Sequence, residues 1–244
     1  MEVHTLCVLG AGTMGTGIAQ LGGQAGLTVR VVEVNAEAIP RSQRRLEKSL
    51  QGGIERGKLT AEEAAAVKGR ISWETSYDCL AAADWVIEAV FEDLSLKQAV
   101  WGEVGRRTRP EVPLASNTST IPIRILAEFT TRPEYFVGMH FFNPPPAMKL
   151  VEVIPHAGTL ETVRDAALTL GERLGRTPLL APDLPGFIVN RAFAALVAAA
   201  VEVWALGGEP EAIDQALELG LGHKMGPLKT CDLVGLDVIK AVNE

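Results

Sequence analysis

A doubly wound α/β fold with a mainly parallel sheet, followed by a smaller all-α domain, is predicted by three features of the 244-residue sequence. Short apolar, β-branched runs alternate with helix-favouring stretches, the arrangement of a parallel sheet covered on both faces. A glycine-rich run, Gly10-Ala11-Gly12-Thr13-Met14-Gly15, joins the first of these runs to the first helix. Finally, Pro182-Asp183-Leu184-Pro185-Gly186 breaks the alternation, and everything after it reads as helical. The expected division is a sheet domain over residues 1–182, a linker over 182–186 and a helical domain over 186–244.

Leu6-Cys7-Val8-Leu9 is the opening strand, and Ile18, Ala19 and Leu21 mark the helix that follows the glycines. That context gives the run its meaning. Gly10 permits a tight turn, Gly12 lets backbone approach a pyrophosphate, and Gly15 lets the helix lie close to the strand. Thr13 and Met14 then open the helix whose N-terminus faces the anion. Val29-Arg30-Val31-Val32-Glu33 is a second strand ending in a carboxylate, about 20 residues beyond the glycines, where a Rossmann-type fold places an acid on the adenosine ribose. Glu33 would accept hydrogen bonds from the ribose hydroxyls and repel a 2′-phosphate. The expected cofactor is NAD, contacted by Gly10, Gly12, Thr13, Met14, Gly15 and Glu33.

From Ala36 to about Lys68 the chain is polar and helix-favouring, punctuated by Gly52-Gly53 and Gly57, with Thr60 as the N-cap of a new helix. This predicts a helical hairpin inserted between strands. Alternation then resumes. Ile71–Trp73, Trp85–Val90, Pro113–Ser116, Tyr135–His140, Leu150–Ile154 and Thr177–Leu180 read as strands. Leu94–Thr108, Ile123–Phe129 and Thr162–Leu174 read as helices.

Composition narrows the function. Hydrophobic residues make up 47 % of the chain, ample for a packed core, and a net charge of −7 argues against nucleic-acid binding while leaving room for a local phosphate site. Cys7, Cys79 and Cys231 are widely spaced without a CxxC pair, which suits a reducing cytoplasm and speaks against a disulfide scaffold or a metal site. No basic segment with a long apolar stretch opens the chain. Ala192 to Leu206 is apolar but shorter than the ~20 residues a bilayer crossing needs, and it carries Glu202, so it reads as a buried or interface helix.

Polar clusters follow several of the predicted strands, where open parallel sheets place their ligands. They are Glu92 with Lys97, Ser116-Asn117-Thr118-Ser119, and His140 with Phe141-Phe142-Asn143-Pro144. Glu152 stands inside an apolar strand, where a carboxylate needs a partner. An imidazole transfers protons in either direction near neutral pH, and a carboxylate beside it fixes its tautomer and stabilises the imidazolium. Ser116 reads as a turn-former, Glu88 as either structural or close to the cofactor, Phe141 and Phe142 as walls excluding water, and His4, His156 and His223 as surface or packing residues.

GAGTMGTGIA from Gly10, VIEAVFEDLSLK from Val86, SNTS from Ser116, HFFNPPPAMKLVEVI from His140, PGFIVNR from Pro185 and GHKMGPL from Gly222 span nearly the whole chain. In these motifs it resembles the L-3-hydroxyacyl-CoA dehydrogenase family, including the short-chain 3-hydroxybutyryl-CoA enzymes. The resemblance implies an NAD-dependent oxidation of L-3-hydroxyacyl-CoA to 3-oxoacyl-CoA, reversible, with His140 as base or acid and Glu152 as its partner. It implies that Asn190 and Ser119 bond the reacting oxygen or nearby substrate and cofactor atoms. Asn143 would stand near the nicotinamide, and Glu92 and Lys97 along its ribose. The site is then expected between the two domains, with Arg56 and Lys58 as candidates for the CoA phosphates and a homodimer as the assembly. Family members usually continue for several tens of residues past the GPL-type motif, so a chain stopping at Glu244 is expected to be truncated or to have a small second domain. Two other readings share these motifs: a related dehydrogenase of a free hydroxy or sugar acid, and a non-catalytic NAD-binding protein. Phe141-Phe142-Asn143-Pro144 and Met148-Lys149-Leu150 favour the acyl-CoA branch, and the retained Ser119, His140, Glu152 and Asn190 favour catalysis.

Overall fold

Leu6, Cys7, Val8 and Leu9 are all buried, as a central strand covered on both faces requires. The computed structural model describes residues 2–234 and divides the chain into one unit ending at Asp183 and another beginning at Leu184.

In the first unit β1 (Thr5–Leu9), α1 (Thr13–Gln24), β2 (Thr28–Val32), α2 (Ile39–Glu55), α3 (Ala61–Gly69) and β3 (Ile71–Glu74) form the first half. α2 and α3 are the expected inserted hairpin. Thr60 caps α3 with a reciprocal pair of bonds, its hydroxyl accepting from Glu63 N while Glu63 accepts from Thr60 N. The second half consists of β4 (Trp85–Glu88), α4 (Leu94–Arg107), β5 (Leu114–Ser116), α5 (Ile123–Ala127), β6 (Phe136–Phe141), β7 (Leu150–Pro155), α6 (Glu161–Arg173) and β8 (Thr177–Leu180).

The strands form one eight-stranded sheet in the order β3-β2-β1-β4-β5-β6-β7-β8. The first six in that order run parallel, whereas β7 is antiparallel to β6 and β8 parallel to β7. The order reverses direction between β1 and β4, so the crevice at their carboxyl ends is the switch point where such sheets bind ligands. The core runs along the sheet from Leu6, Val8, Val29 and Val31 through Trp85 and Ile87 to Val137, Met139, Val151 and Val153.

The strand expected over Trp85–Val90 stops at Glu88. There the chain turns against the glycine loop so closely that a Cβ on Gly10 would stand 2.7 Å from Ala89 O. The turn is closed by Val90 N donating to Glu88 Oε1 at 2.8 Å.

The second unit contains α7 (Val189–Ala205), α8 (Pro210–Leu221) and α9 (Pro227–Val234). α8 ends at Gly222 in a left-handed conformation, φ 73°. Asp214, 2 % exposed, accepts from Leu228 N at 2.9 Å and Lys229 N at 3.0 Å, which ties α8 to the start of α9. The last part of the expected helical domain, residues 235–244, lies outside the described residues. Among the described residues no helix is long and apolar enough to cross a membrane.

Candidate active site

Backbone builds the first half of the crevice. Gly15 is required by packing, since a Cβ there would sit 1.8 Å from Gly10 O. Gly12 is different: nothing lies within 4 Å of the place its Cβ would occupy. Gly12 is also the N-cap of α1 and gives that helix no side-chain cap, which leaves first-turn N–H groups at Thr13 and Met14 available to an anion. This arrangement fits the pyrophosphate of a dinucleotide. Glu33 leaves β2 and binds the loop from below, its Oε2 accepting from Ala11 N at 3.2 Å and its Oε1 from Asn35 N at 3.1 Å. A carboxylate oxygen takes more than one donor, so ribose hydroxyls still find acceptors here. The inserted hairpin also holds the loop, with Ser42 Oγ of α2 donating to Ala11 O at 2.6 Å and Arg45 at 3.3 Å. Neither residue stands out in the sequence, because only the fold brings α2 to the glycines.

Side chains build the second half. His140 and Glu152 are direct register partners in the antiparallel β6–β7 pair. His140 Nδ1 lies 2.7 Å from Glu152 Oε2, with side-chain exposures of 7 % and 1 %. The Phe142 ring tilts against the imidazole, centroids 4.5 Å apart. Successive strand residues face opposite sides, and Phe141 lies in the hydrophobic core, on the face opposite His140. Asn143 is exposed just after the strand.

Between these halves lies a buried charge cluster. Lys97 Nζ stands 2.6 Å from Glu88 Oε1 and 3.2 Å from Glu92 Oε2. Lys97 is 1 % exposed, so its ammonium serves two carboxylates inside the protein. Glu92 Oε1 accepts from Thr118 Oγ1, Ser119 N (3.0 Å), Thr120 N (3.2 Å) and Thr120 Oγ1 (3.0 Å). It thereby shapes the turn that presents Ser119. Burial alone would raise the Glu92 carboxyl, but the Lys97 charge and the Thr118 and Thr120 hydroxyls hold it below the usual carboxylate range.

Ser116, read from sequence as a turn-former, both accepts from Thr118 N at 3.2 Å and donates to Glu88 Oε2 at 2.7 Å. Asn117 joins two strand ends, its N donating to Glu88 O at 2.8 Å and its Oδ1 accepting from Phe141 N at 2.9 Å. Sequence reading passed over Asn117, although its place between Ser116 and Thr118 in SNTS was the available signal.

The structure thus brings Glu92, Lys97 and Ser119 together near the carboxyl ends of β4 and β5, and sets His140, near the carboxyl end of β6, against Glu152 in the amino-terminal half of antiparallel β7. Asn190 stands in the first turn of α7 and belongs to the second unit. Arg56 and Lys58 are exposed at the tip of the hairpin, after the last turn of α2.

Comparison with known proteins places the chain in a family. The family model described as "3-hydroxyacyl-CoA dehydrogenase, NAD binding domain" matches residues 5–184, and its C-terminal domain counterpart matches residues 186–244. A probable 3-hydroxybutyryl-CoA dehydrogenase of Bacillus subtilis (strain 168) is 41 % identical over 245 residues, covering 100 % of this chain and 85 % of that protein. The 3-hydroxyadipyl-CoA dehydrogenase of Escherichia coli (strain K12) is 39 % identical over 246 residues, 99 % of this chain and 51 % of that one. The crystal structure of (S)-3-hydroxybutyryl-CoA dehydrogenase from Ralstonia eutropha superposes with a TM-score of 0.96 at 40 % identity, covering 99 % of this chain and 86 % of that one.

Proposed function

The chain belongs to the 3-hydroxyacyl-CoA dehydrogenase family, and from that premise we propose that it interconverts L-3-hydroxyacyl-CoA and 3-oxoacyl-CoA with His140 as the proton-transfer group. The observation that carries the reading is the buried His140–Glu152 pair at 2.7 Å, set by strand register beside a dinucleotide cradle. Bound NAD supplies the hydride acceptor for oxidation and, reduced, the donor for the reverse.

In oxidation His140 takes the proton of the 3-hydroxyl as hydride leaves C3. In reduction it returns that proton to the carbonyl oxygen. Glu152 at Nδ1 holds the ring orientation and stabilises the imidazolium, so the proton exchanged with substrate passes through Nε2. Ser119 and Asn190 are assigned to the substrate oxygen, Asn143 to the nicotinamide side, and Glu92 to its ribose. Lys97 acts there through Glu92, and Arg56 and Lys58 meet the CoA phosphates. A second copy of the chain is assigned to cover α7 and its end, where Val203 is 50 %, Trp204 53 % and Leu206 83 % exposed. Light scattering at a monomer mass would remove that assignment. The thiols of Cys7, Cys79 and Cys231 are free, which fits the reducing cytoplasm assigned to the enzyme.

Following NADH absorbance with acetoacetyl-CoA and, separately, with free acetoacetate tests the reading. Loss of NADH with the thioester alone supports it. Turnover of the free acid alone transfers the same residues to a free-acid dehydrogenase, and NADH binding without turnover of either leaves a nucleotide-binding protein.

A further inference from the structure

At the end of β4 a buried ion pair, Glu88 with Lys97, is joined by a second carboxylate, Glu92, whose side chain is 35 % exposed. Glu88 is 0 % exposed, with Lys97 Nζ at 2.6 Å and Val90 N at 2.8 Å from Oε1 and Ser116 Oγ at 2.7 Å from Oε2. Lys97 Nζ and Val90 N can only donate, so Oε1 accepts from both. Glu92 receives Lys97 together with the backbone N–H groups of Ser119 and Thr120, which can only donate. Two carboxylates share one ammonium, so the cluster carries one excess negative charge.

A neutral amide at position 88 would fill the same space and leave Lys97 balanced by Glu92 alone. The location of the cluster suggests what it does. The sheet order reverses between β1 and β4, and a dinucleotide lies across that point. Glu33, at the end of β2, marks the adenosine side. The nicotinamide side therefore falls toward β4, β5 and β6, where Glu88, Ser116 and His140 lie. The nicotinamide ring is cationic when oxidised and neutral when reduced, so a fixed negative charge on that side interacts differently with the two forms.

We infer that the Glu88–Lys97–Glu92 cluster sets the balance between the two cofactor states, its excess negative charge binding NAD+ in preference to NADH, with Glu88 as the positioning residue that supplies the excess. The inference rests on the proposed NAD-dependent reaction. The cluster also shifts the equilibrium between the enzyme-bound states, because stabilising bound NAD+ favours the bound 3-hydroxy compound over the bound 3-oxo compound.

The test measures dissociation constants for NAD+ and NADH separately, by tryptophan fluorescence and calorimetry, on the full chain and on Glu88→Gln. Loss of one negative charge raises Kd(NAD+)/Kd(NADH) by about three- to tenfold, a range set by a partly screened charge at site dimensions. Glu88→Asp keeps the charge and keeps the ratio, even if both affinities fall. Should Glu88→Gln not fold, Glu92→Gln removes the same charge from a side chain that is 35 % exposed and moves the ratio in the same direction. An unchanged ratio in the Gln variant, or an equal shift in the Asp variant, overturns the inference. A wild-type chain that binds neither nucleotide overturns the dehydrogenase reading itself, a result distinguishable from these.

Discussion

The two halves of the crevice are built from different materials. On the β1–β2 side the protein presents backbone: a Cβ on Gly10 or Gly15 would collide with neighbouring backbone, Gly12 borders open space, and the Glu33 carboxylate holds the loop at Ala11 N. On the β4–β7 side it presents side chains buried in pairs and clusters, His140 with Glu152 and Lys97 between Glu88 and Glu92. A binding surface that needs only shape and N–H donors is met by a loop of about six residues. A surface that must move a proton needs groups whose charge is controlled, and such groups come from strands far apart in sequence.

Substitutions on the two sides should therefore fail differently. The largest effect belongs to His140→Ala, which should lower kcat by about 10²–10⁴-fold, the usual worth of a positioned acid–base. NADH affinity, measured by fluorescence, should stay near wild type, and turnover within a few fold of normal would take His140 out of the reaction. Gly15→Ala should do the reverse. A Cβ 1.8 Å from Gly10 O forces the loop off α1, with a stability loss of about 1–3 kcal/mol by thermal melting and a matching fall in NADH affinity. Normal NADH binding in that variant would show that the backbone half tolerates what its geometry forbids.

Glu33→Ala should leave turnover with NADH largely intact but reduce discrimination against NADPH by about tenfold, because the repulsion of a 2′-phosphate is gone. Selectivity unchanged in kcat/KM would place the discrimination elsewhere. The smallest effect is on pH. The Glu92 carboxyl is held below its ordinary range in the folded protein, so its contribution is present above the unfolded carboxylate value and lost as pH falls through the folded one. With the side chain 35 % exposed this amounts to less than about 1 kcal/mol. Denaturant melts of Glu92→Gln should show a shallower loss of stability than wild type across the acid limb, and parallel curves would deny Glu92 that role.

Much of the backbone half was legible because its signals are local. Glycines, a β-branched run and a terminal acid fall within some 25 residues, and the Thr60 capping signal is complete within four. On the side-chain half Glu152 was legible for a different reason, since an acid inside an apolar strand requires a partner. Glu88 obeys the same rule, but two candidate roles stayed open for it in the sequence. Its partners Lys97 and Ser116 lie on α4 and β5, and nothing in the linear pattern pairs them with it. HFFNP shows two adjacent aromatics without saying which one enters the core, and the structure puts Phe141 there.

By itself the sequence determined the alternation of strands and helices, the inserted hairpin, the glycine cradle and the residue types the chemistry draws on. Each of these depends on steric and periodic rules acting over a few residues to a few tens. The tertiary structure decided the strand order, the reversal of β7 and β8, and with it the register that sets Glu152 opposite His140. It also decided that Lys97 is enclosed by two carboxylates. Those outcomes depend on which distant strands pair and what then becomes buried, and a buried charge is defined by its neighbours in space.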